Sequence, residues 1–233
     1  MIKDLPYFYS EVIPGSGEMV SLPEESARHI AQVLRMKEGD LLHLTDGKGA
    51  RAVAEIRSAS KRNVTLVIKT KEIYNKPAPS ITIAVSPLKN SARFEWFIEK
   101  ATELGISSII PIICTRTERQ HFRMPRMMGI LQSAMLQSKQ VWMPQLGEPV
   151  LFQALVNSID AKEKLIAWCG EGEKKNLAAG ADSDTVVLIG PEGDFTEEEI
   201  HAALKAGFKS VTLGNTRLRT ETAAITAAVM LTR

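Results

Sequence analysis

The amino-acid sequence predicts a two-part mixed α/β protein: a small β-rich domain over residues 1–72, a linker over 73–79, and an α/β domain over 80–233 with a parallel sheet covered by helices. Three observations predict it. Strand-like alternation dominates the region after residue 40, strand and helix patterns alternate after residue 80, and KEIYNKPAPS (71–80) breaks two apolar stretches with two prolines and several polar residues. A chain of 233 residues accommodates one large domain or two small ones, and no internal repeat or low-complexity segment points to a solenoid or propeller.

In the first part, Ser21 and Glu24 match the S-x-x-E capping box, and Ala27, Ile30, Ala31 and Leu34 then fall on one helical face. One short helix is expected. Beyond Gly39 and Asp40 come LLHLTD, a DGKG turn at 46–49, and the alternating stretches ARAVAEIRS and NVTLVIKT. The second part opens with the strand ITIAVS, a helix carrying Phe94, Phe97, Ile98, Ala101 and Leu104 that stops at Gly105, and the strand SSIIPIIC. Further strands are KLIAWC (164–169), TVVLIG (185–190) and KSVTLG (209–214), with helices near 127–138, 150–158, 196–206 and 220–232. Thr196 and Glu199 form a second capping box ahead of Ile200, Ala203 and Leu204. The last helix is rich in alanine, which suits close packing against another surface.

Charged residues make up 24% and apolar ones 44%, the range of ordinary globular chains. Two cysteines, Cys114 and Cys169, stand 55 positions apart, which excludes a disulfide framework and a CxxC zinc pattern; both are expected as reduced core thiols of a cytosolic protein. The opening MIKDLPYFYSEV has no apolar h-region, and the longest apolar run, Ile109 to Cys114, is far short of a bilayer span. The expectation is a cytoplasmic protein without a membrane partner. The net charge of +2 hides an uneven distribution: +1 over residues 1–72, +5 over 73–147 and −4 over 148–233. Within the basic third, Arg116, Arg119, Arg123 and Arg126 recur every three or four residues against one acid, Glu118. Such a run is either a track for RNA phosphates, which an arginine fork holds bidentately, or a solvated basic face.

Ligands of parallel α/β sheets bind beyond the carboxyl ends of the strands, so the last two strand-to-helix loops carry the chemical interest. One is Gly190-Pro191-Glu192-Gly193-Asp194-Phe195; the other runs from Gly214 through Arg219 to Thr222. Glycines at 190, 193 and 214 permit positive φ and close approach of backbone to a ligand such as a nucleotide or nucleoside, although tight turns use glycine as well. No Walker A sequence is present, and GEGEKK (170–175) has Lys175 where a dinucleotide fingerprint needs its third glycine. The four histidines occur singly, so no catalytic metal is expected, and no GxSxG elbow supports a serine hydrolase.

The segments HIAQVLRMKEGD (29–40), EKATELGI (99–106), TERQ (117–120), IGPEGDFTEEEI (189–200) and LGNTRLRTETAA (213–224) together resemble the RsmE family, SPOUT-superfamily methyltransferases that act on N3 of a uridine in 16S ribosomal RNA with S-adenosylmethionine (SAM). The resemblance spans nearly the whole chain, and the pair GPEG plus LRTETA is its most specific part. It implies a PUA-like β-barrel that helps hold RNA, followed by an α/β domain with a deep C-terminal trefoil knot. It further implies a homodimer with the alanine-rich last helix at the subunit interface, and 16S RNA in the small ribosomal subunit as partner. By the same similarity, Leu188, Gly190, Glu192 and Gly193 line one side of the cofactor, and Leu213, Gly214, Leu218, Arg219, Glu221 and Thr222 the other. The chemistry of N3 methylation then makes Arg219 a candidate to orient the uracil or its developing charge and Glu221 a candidate acceptor of the N3 proton, directly or through water; the alternative is an internal Arg219–Glu221 ion pair that only fixes the loop. Arg35, Lys37, Arg116, Arg119, Arg123 and Arg126 are candidates for holding phosphates. The chain departs from the family at Gln140, where an arginine is usual and where Lys139 can supply the charge, and at Asp194, where many relatives carry a second glycine.

Overall fold

The computed structural model describes residues 5–118 and 122–233. The chain divides into two compact units, Met1–Lys76 with Met135–Met143, and Pro77–Ala134 with Pro144–Arg233. The first unit contains β1 (Tyr7–Tyr9), β2 (Met19–Leu22), α1 (Glu24–Arg28), β3 (Leu41–Thr45), β4 (Ala50–Ala59) and β5 (Val64–Ile73). These strands form one sheet in the order β1-β3-β4-β5-β2, antiparallel except for the β1–β3 pair. Alternation sets the register: Ala50, Ala52, Ala54 and Ile56 of β4 face inward, opposite a β3 whose Leu42 and Leu44 are buried with them. Two register shifts, at Val53/Ala54 and Ile56/Ser58, bend the long β4–β5 ribbon.

The helix of this unit differs from the sequence expectation. Ser21 of β2 pairs with Thr65 of β5, so its backbone is committed to a strand; Pro23 takes the N-cap of α1, no side-chain capping bond forms, and the Ser21–Glu24 box is absent. Ala27 and Ile30 are buried as the periodicity predicts, but the chain widens into a π-helical turn at His29–Val33. The wider turn rotates Leu34 off the buried face, and it remains 41% exposed. The segment Met135–Met143 packs in this unit through Gly49 and Gly47: the Gly49 amide donates to Val141 O at 2.9 Å and the Met143 amide to Gly47 O at 2.9 Å. Gly49, at φ 101°, lies under the Trp142 ring, which a Cβ would approach to 2.4 Å.

The second unit contains β6 (Ile81–Val85), α2 (Ser91–Glu103), β7 (Ser108–Ile113), α3 (Met124–Gln137), β8 (Gln145–Leu146), β9 (Val150–Leu151), α4 (Phe152–Ser158), β10 (Glu163–Ala167), β11 (Lys175–Asn176), β12 (Thr185–Ile189), α5 (Glu197–Lys205), β13 (Lys209–Thr212) and α6 (Thr220–Leu231). Its sheet is parallel, in the order β11-β13-β10-β12-β6-β7-β8, with β9 also on β7. β12 is buried at all five positions, as a central strand covered on both faces must be. α2 is capped by the Asn90 side chain, buries Phe94, Phe97, Ile98 and Ala101, and ends before Gly105 at φ 77°. α3 begins three residues earlier than its apolar pattern, because Pro125 is tolerated in a first turn that needs no amide donor. The Thr196–Glu199 box forms in full. α6 packs on α2, β6 and β12.

Phe97 is fully buried on the inner face of α2, beside Phe94 with ring centroids 5.7 Å apart. Phe97→Ala should therefore cost about 3–5 kcal/mol of folding stability, read as a lowered midpoint in chemical denaturation; an unchanged midpoint would contradict this packing.

Candidate active site

β13, β10 and β12 are adjacent and parallel, so the segments that follow them leave the same edge of the sheet. They enclose a cavity of about 530 Å³, within the range of small-molecule sites. Trp168 and Cys169 follow β10, Gly190 to Glu192 and Asp194 follow β12, and Leu213 to Arg219 follow β13; Lys174 completes the wall. Of the residues expected around a cofactor, Gly190, Glu192, Leu213, Gly214, Leu218 and Arg219 line this cavity. Leu188 is fully buried inside β12, and Gly193 faces Arg116, where a Cβ would lie 3.2 Å from the arginine Cδ.

Arg219 and Glu221 are not brought together. Positions two apart at a helix start point to different sides. Arg219 is exposed at the cavity, whereas Glu221 is buried with Oε1 3.7 Å from Arg93 Nε on α2, and its Oε2 has no hydrogen-bond partner among the described residues. Thr222 is exposed and does not line the cavity. Trp168, Cys169 and Lys174 do line it, although no sequence motif pointed to them. The Trp168 indole donates to Ser210 Oγ at 3.1 Å, and the Lys174 ammonium lies 3.9 Å from the centre of its ring. Cys169 is exposed here because it sits in the loop beyond β10, which corrects its expected place in the core; Cys114 is buried, and burial together with Glu199 pushes its thiol far above the usual range.

The loop after β12 is held from three directions. Asp194 adopts φ 66°, a left-handed conformation that Asp tolerates better than most residues, and accepts from the Cys169 amide at 2.8 Å and its neighbour Phe195's amide at 2.9 Å. Arg116 donates to Gly193 O at 2.7 Å and to Phe195 O at 3.4 Å. Glu199 accepts from the Thr115 amide at 2.7 Å and from the Thr196 amide at 2.9 Å, tying the segment after β7 to the amino end of α5. Beneath them Ser86 and Thr117 share a hydrogen bond at 2.8 Å, and Thr117 Oγ1 accepts from the Cys114 amide at 2.8 Å. Positive φ, expected at Gly190, Gly193 and Gly214, occurs at Gly214 (140°) and instead at Asp194. Gly190 is required for a different reason: a Cβ there would press on the Phe195 ring at 3.1 Å.

The expected phosphate contacts divide in the same way. Arg116 is spent on the loop, Arg126 makes a bidentate pair with Glu95 at 2.6 Å for both bonds, and Arg123 is exposed. Arg119 lies outside the described residues. Arg35 (φ 53°), Lys37 and Lys139 (φ 57°) are exposed in the first unit, and the Gln140 side chain donates to Ser138 Oγ at 3.1 Å. Among the described residues no cluster of His, Cys, Asp and Glu is placed to hold a metal ion, and no helix is long and apolar enough to cross a membrane.

Comparison with known proteins places this geometry. Residues 22–69 match the model of the RNA methyltransferase PUA domain, and residues 75–232 that of the RNA methyltransferase domain. A ribosomal RNA small subunit methyltransferase E from Rickettsia conorii is 30% identical over 213 residues, 88% of this chain and 85% of the relative. Among solved structures, a ribosomal RNA small subunit methyltransferase E from Neisseria gonorrhoeae bound to S-adenosyl methionine superposes with a TM-score of 0.87, at 30% identity over 96% of this chain and 95% of the other. A Legionella pneumophila protein in complex with the bound cofactor SAM gives 0.86, at 29% identity over 96% of this chain and 95% of the other. With two thirds of its length in the methyltransferase domain model and this agreement along nearly the whole chain, the protein belongs to the ribosomal RNA small subunit methyltransferase E family.

Proposed function

We propose that this protein transfers a methyl group from SAM to N3 of a uridine in 16S ribosomal RNA within the small ribosomal subunit. The observation that carries the reading is the convergence of three strand-end loops on one cavity of about 530 Å³ in a chain whose family includes a SAM-bound structure. The residues present fit that donor. Leu213, Leu218, Val211 and the Trp168 indole offer apolar surface for an adenosine, the open φ 140° backbone at Gly214 keeps side-chain bulk away from it, and Lys174 and Arg217 supply cations for a carboxylate. Bound there, SAM supplies an electrophilic methyl group on a positively charged sulfur.

The chain's own task is to remove the N3 proton and to stabilise the charge that its loss spreads over O2 and O4 of the uracil. Two carboxylates line the cavity. Asp194 is committed to two backbone amides, so Glu192 is the acceptor in this reading, directly or through a water molecule, and Arg219 is the cation facing the uracil oxygens. Glu221 becomes a positioning residue: with Arg93 it holds the first turn of α6 against α2 and so aims Arg219 from the preceding position. Because N3 lies on the pairing edge, the base must be unpaired or extruded before it can react.

The same reading extends to the whole molecule. The bulged five-stranded sheet is proposed to curl into a PUA-like barrel over residues 1–72, joined through 73–79 to a SPOUT domain over 80–233. The passage of the chain from β13 on one side of β10 to α6 on β6 and β12 on the other supports a trefoil knot at the C-terminus. α6 has apolar residues on all faces, with Ala223, Ile225, Val229 and Met230 only half-buried, which supports a homodimer built on this helix. The place of action is the cytoplasm, where small ribosomal subunits are.

Labelled methyl transfer to small subunits from cells lacking the enzyme, followed by nucleoside mass analysis, should yield 3-methyluridine; label in any other nucleoside, or none, would overturn the proposal. Arg219→Ala should lower turnover about a hundredfold while the SAM Kd changes less than about threefold; equal losses in both would make Arg219 a donor-binding group only. Asp194→Ala removes two acceptors and places alanine at a positive φ, so SAM binding measured by calorimetry should weaken about tenfold, and Asp194→Asn should weaken it less.

A further inference from the structure

A second cavity, of about 220 Å³, opens in the second unit at the amino ends of α2 and α3. Its floor is apolar: Leu88, Phe94 and Met127 are buried in it, and Phe122 stands edge-on to Phe94 with ring centroids 5.5 Å apart. Its rim is polar, with one uncompensated cation among the described residues, Arg123. Ser91, Glu95, Arg123 and Arg126 surround the opening, and the bidentate Glu95–Arg126 pair fixes one guanidinium plane at the edge while Arg123 is exposed beside it. The segment that supplies Leu88 leaves β6, and the loop of Gly190 and Glu192 leaves β12; these strands are parallel neighbours with Val85 opposite Ile189. Both cavities therefore open along one carboxyl edge of the same sheet.

We propose that this second cavity receives a single unpaired base of the RNA substrate, with Arg123 on the adjoining phosphate. The inference rests on the methyltransferase reading above and adds a nucleotide subsite to it. Size limits the occupant: 220 Å³ is less than half the volume of the donor cavity and suits one ring system rather than a whole nucleoside donor. Chemistry selects it further. Aromatic walls stack on the π-face of any base, the Ser91 hydroxyl can meet the hydrogen-bonding edge, and the exposed Arg123 guanidinium matches a phosphate in charge and geometry. The +5 charge of residues 73–147, which contain every lining residue, favours an anionic polymer over an apolar peptide.

Two variants test the cavity from opposite directions. Ser91→Phe fills it without removing a charge, and Phe122→Ala removes one wall; Arg123→Gln tests the phosphate contact. Each is compared with the unsubstituted protein in methyl transfer to small subunits and in affinity for protein-free 16S RNA by filter binding, with SAM calorimetry and thermal melting as controls for fold and donor site. Both cavity variants should lower kcat/KM for subunits at least about tenfold and weaken RNA binding, with SAM Kd and Tm unchanged. A rise in KM assigns the cavity to a base beside the target; a fall in kcat with KM and RNA affinity unchanged would overturn the proposal. Kinetics within twofold of the unsubstituted protein in both variants would overturn the proposal. So would a loss on subunits with RNA affinity intact, which would make the occupant a ribosomal protein. If the unsubstituted protein transferred no methyl at all, the methyltransferase reading would fail separately, and the RNA affinities of the variants would still decide the subsite.

Discussion

One carboxylate organises the cavity. Asp194 accepts from the amide of Cys169, the second residue beyond β10, and from the amide of Phe195, its own neighbour beyond β12. It thereby joins loops that leave different strands 25 positions apart in the chain. The glycines of the segment after β12 contribute no side chains to hold it, so its position depends on such ties. Arg116 secures the same segment from the other side through Gly193 O and Phe195 O, and Glu199 secures the stretch that carries Arg116. The cavity is thus rigid where its backbone must approach a ligand closely, which is the condition under which positioning contributes most to a bimolecular transfer.

The division of labour among the charges follows from that framework. A run of arginines in the basic middle of the chain looks uniform in sequence, yet Arg116 donates to carbonyl oxygens of the loop after β12, Arg126 locks onto Glu95, and Arg123 is exposed at the rim of the second cavity. Charged side chains with the same spacing acquire different roles because each meets a different long-range neighbour. The same holds for Glu221, whose burial against Arg93 draws it away from the cavity that Arg219 faces.

Local patterns were therefore readable and distant ones were not. Periodicity located α2 and its buried Phe94, Phe97 and Ile98, and the Thr196–Glu199 box marked the start of α5, because both depend on residues three or four apart. The Ser21–Glu24 match failed for an instructive reason: a capping motif cannot compete with a strand partner, here Thr65, that lies 44 positions away. Leu34 was misplaced because a π-helical turn changes the angular step between residues without changing their composition. Both glycine-bearing loops stood out in sequence, but Trp168, Cys169 and Lys174 did not, since β10 joins the site only through its place between β13 and β12.

Everything argued for the chemistry depends on the three loops binding one molecule together. The most direct measurement is a titration of the full chain with SAM followed by backbone amide NMR. The account predicts that amides of Trp168 and Cys169, of Gly190 and Glu192 to Asp194, and of Leu213 to Arg219 shift together and saturate at one donor per chain. Shifts confined to one loop, or located elsewhere in the molecule, would contradict it.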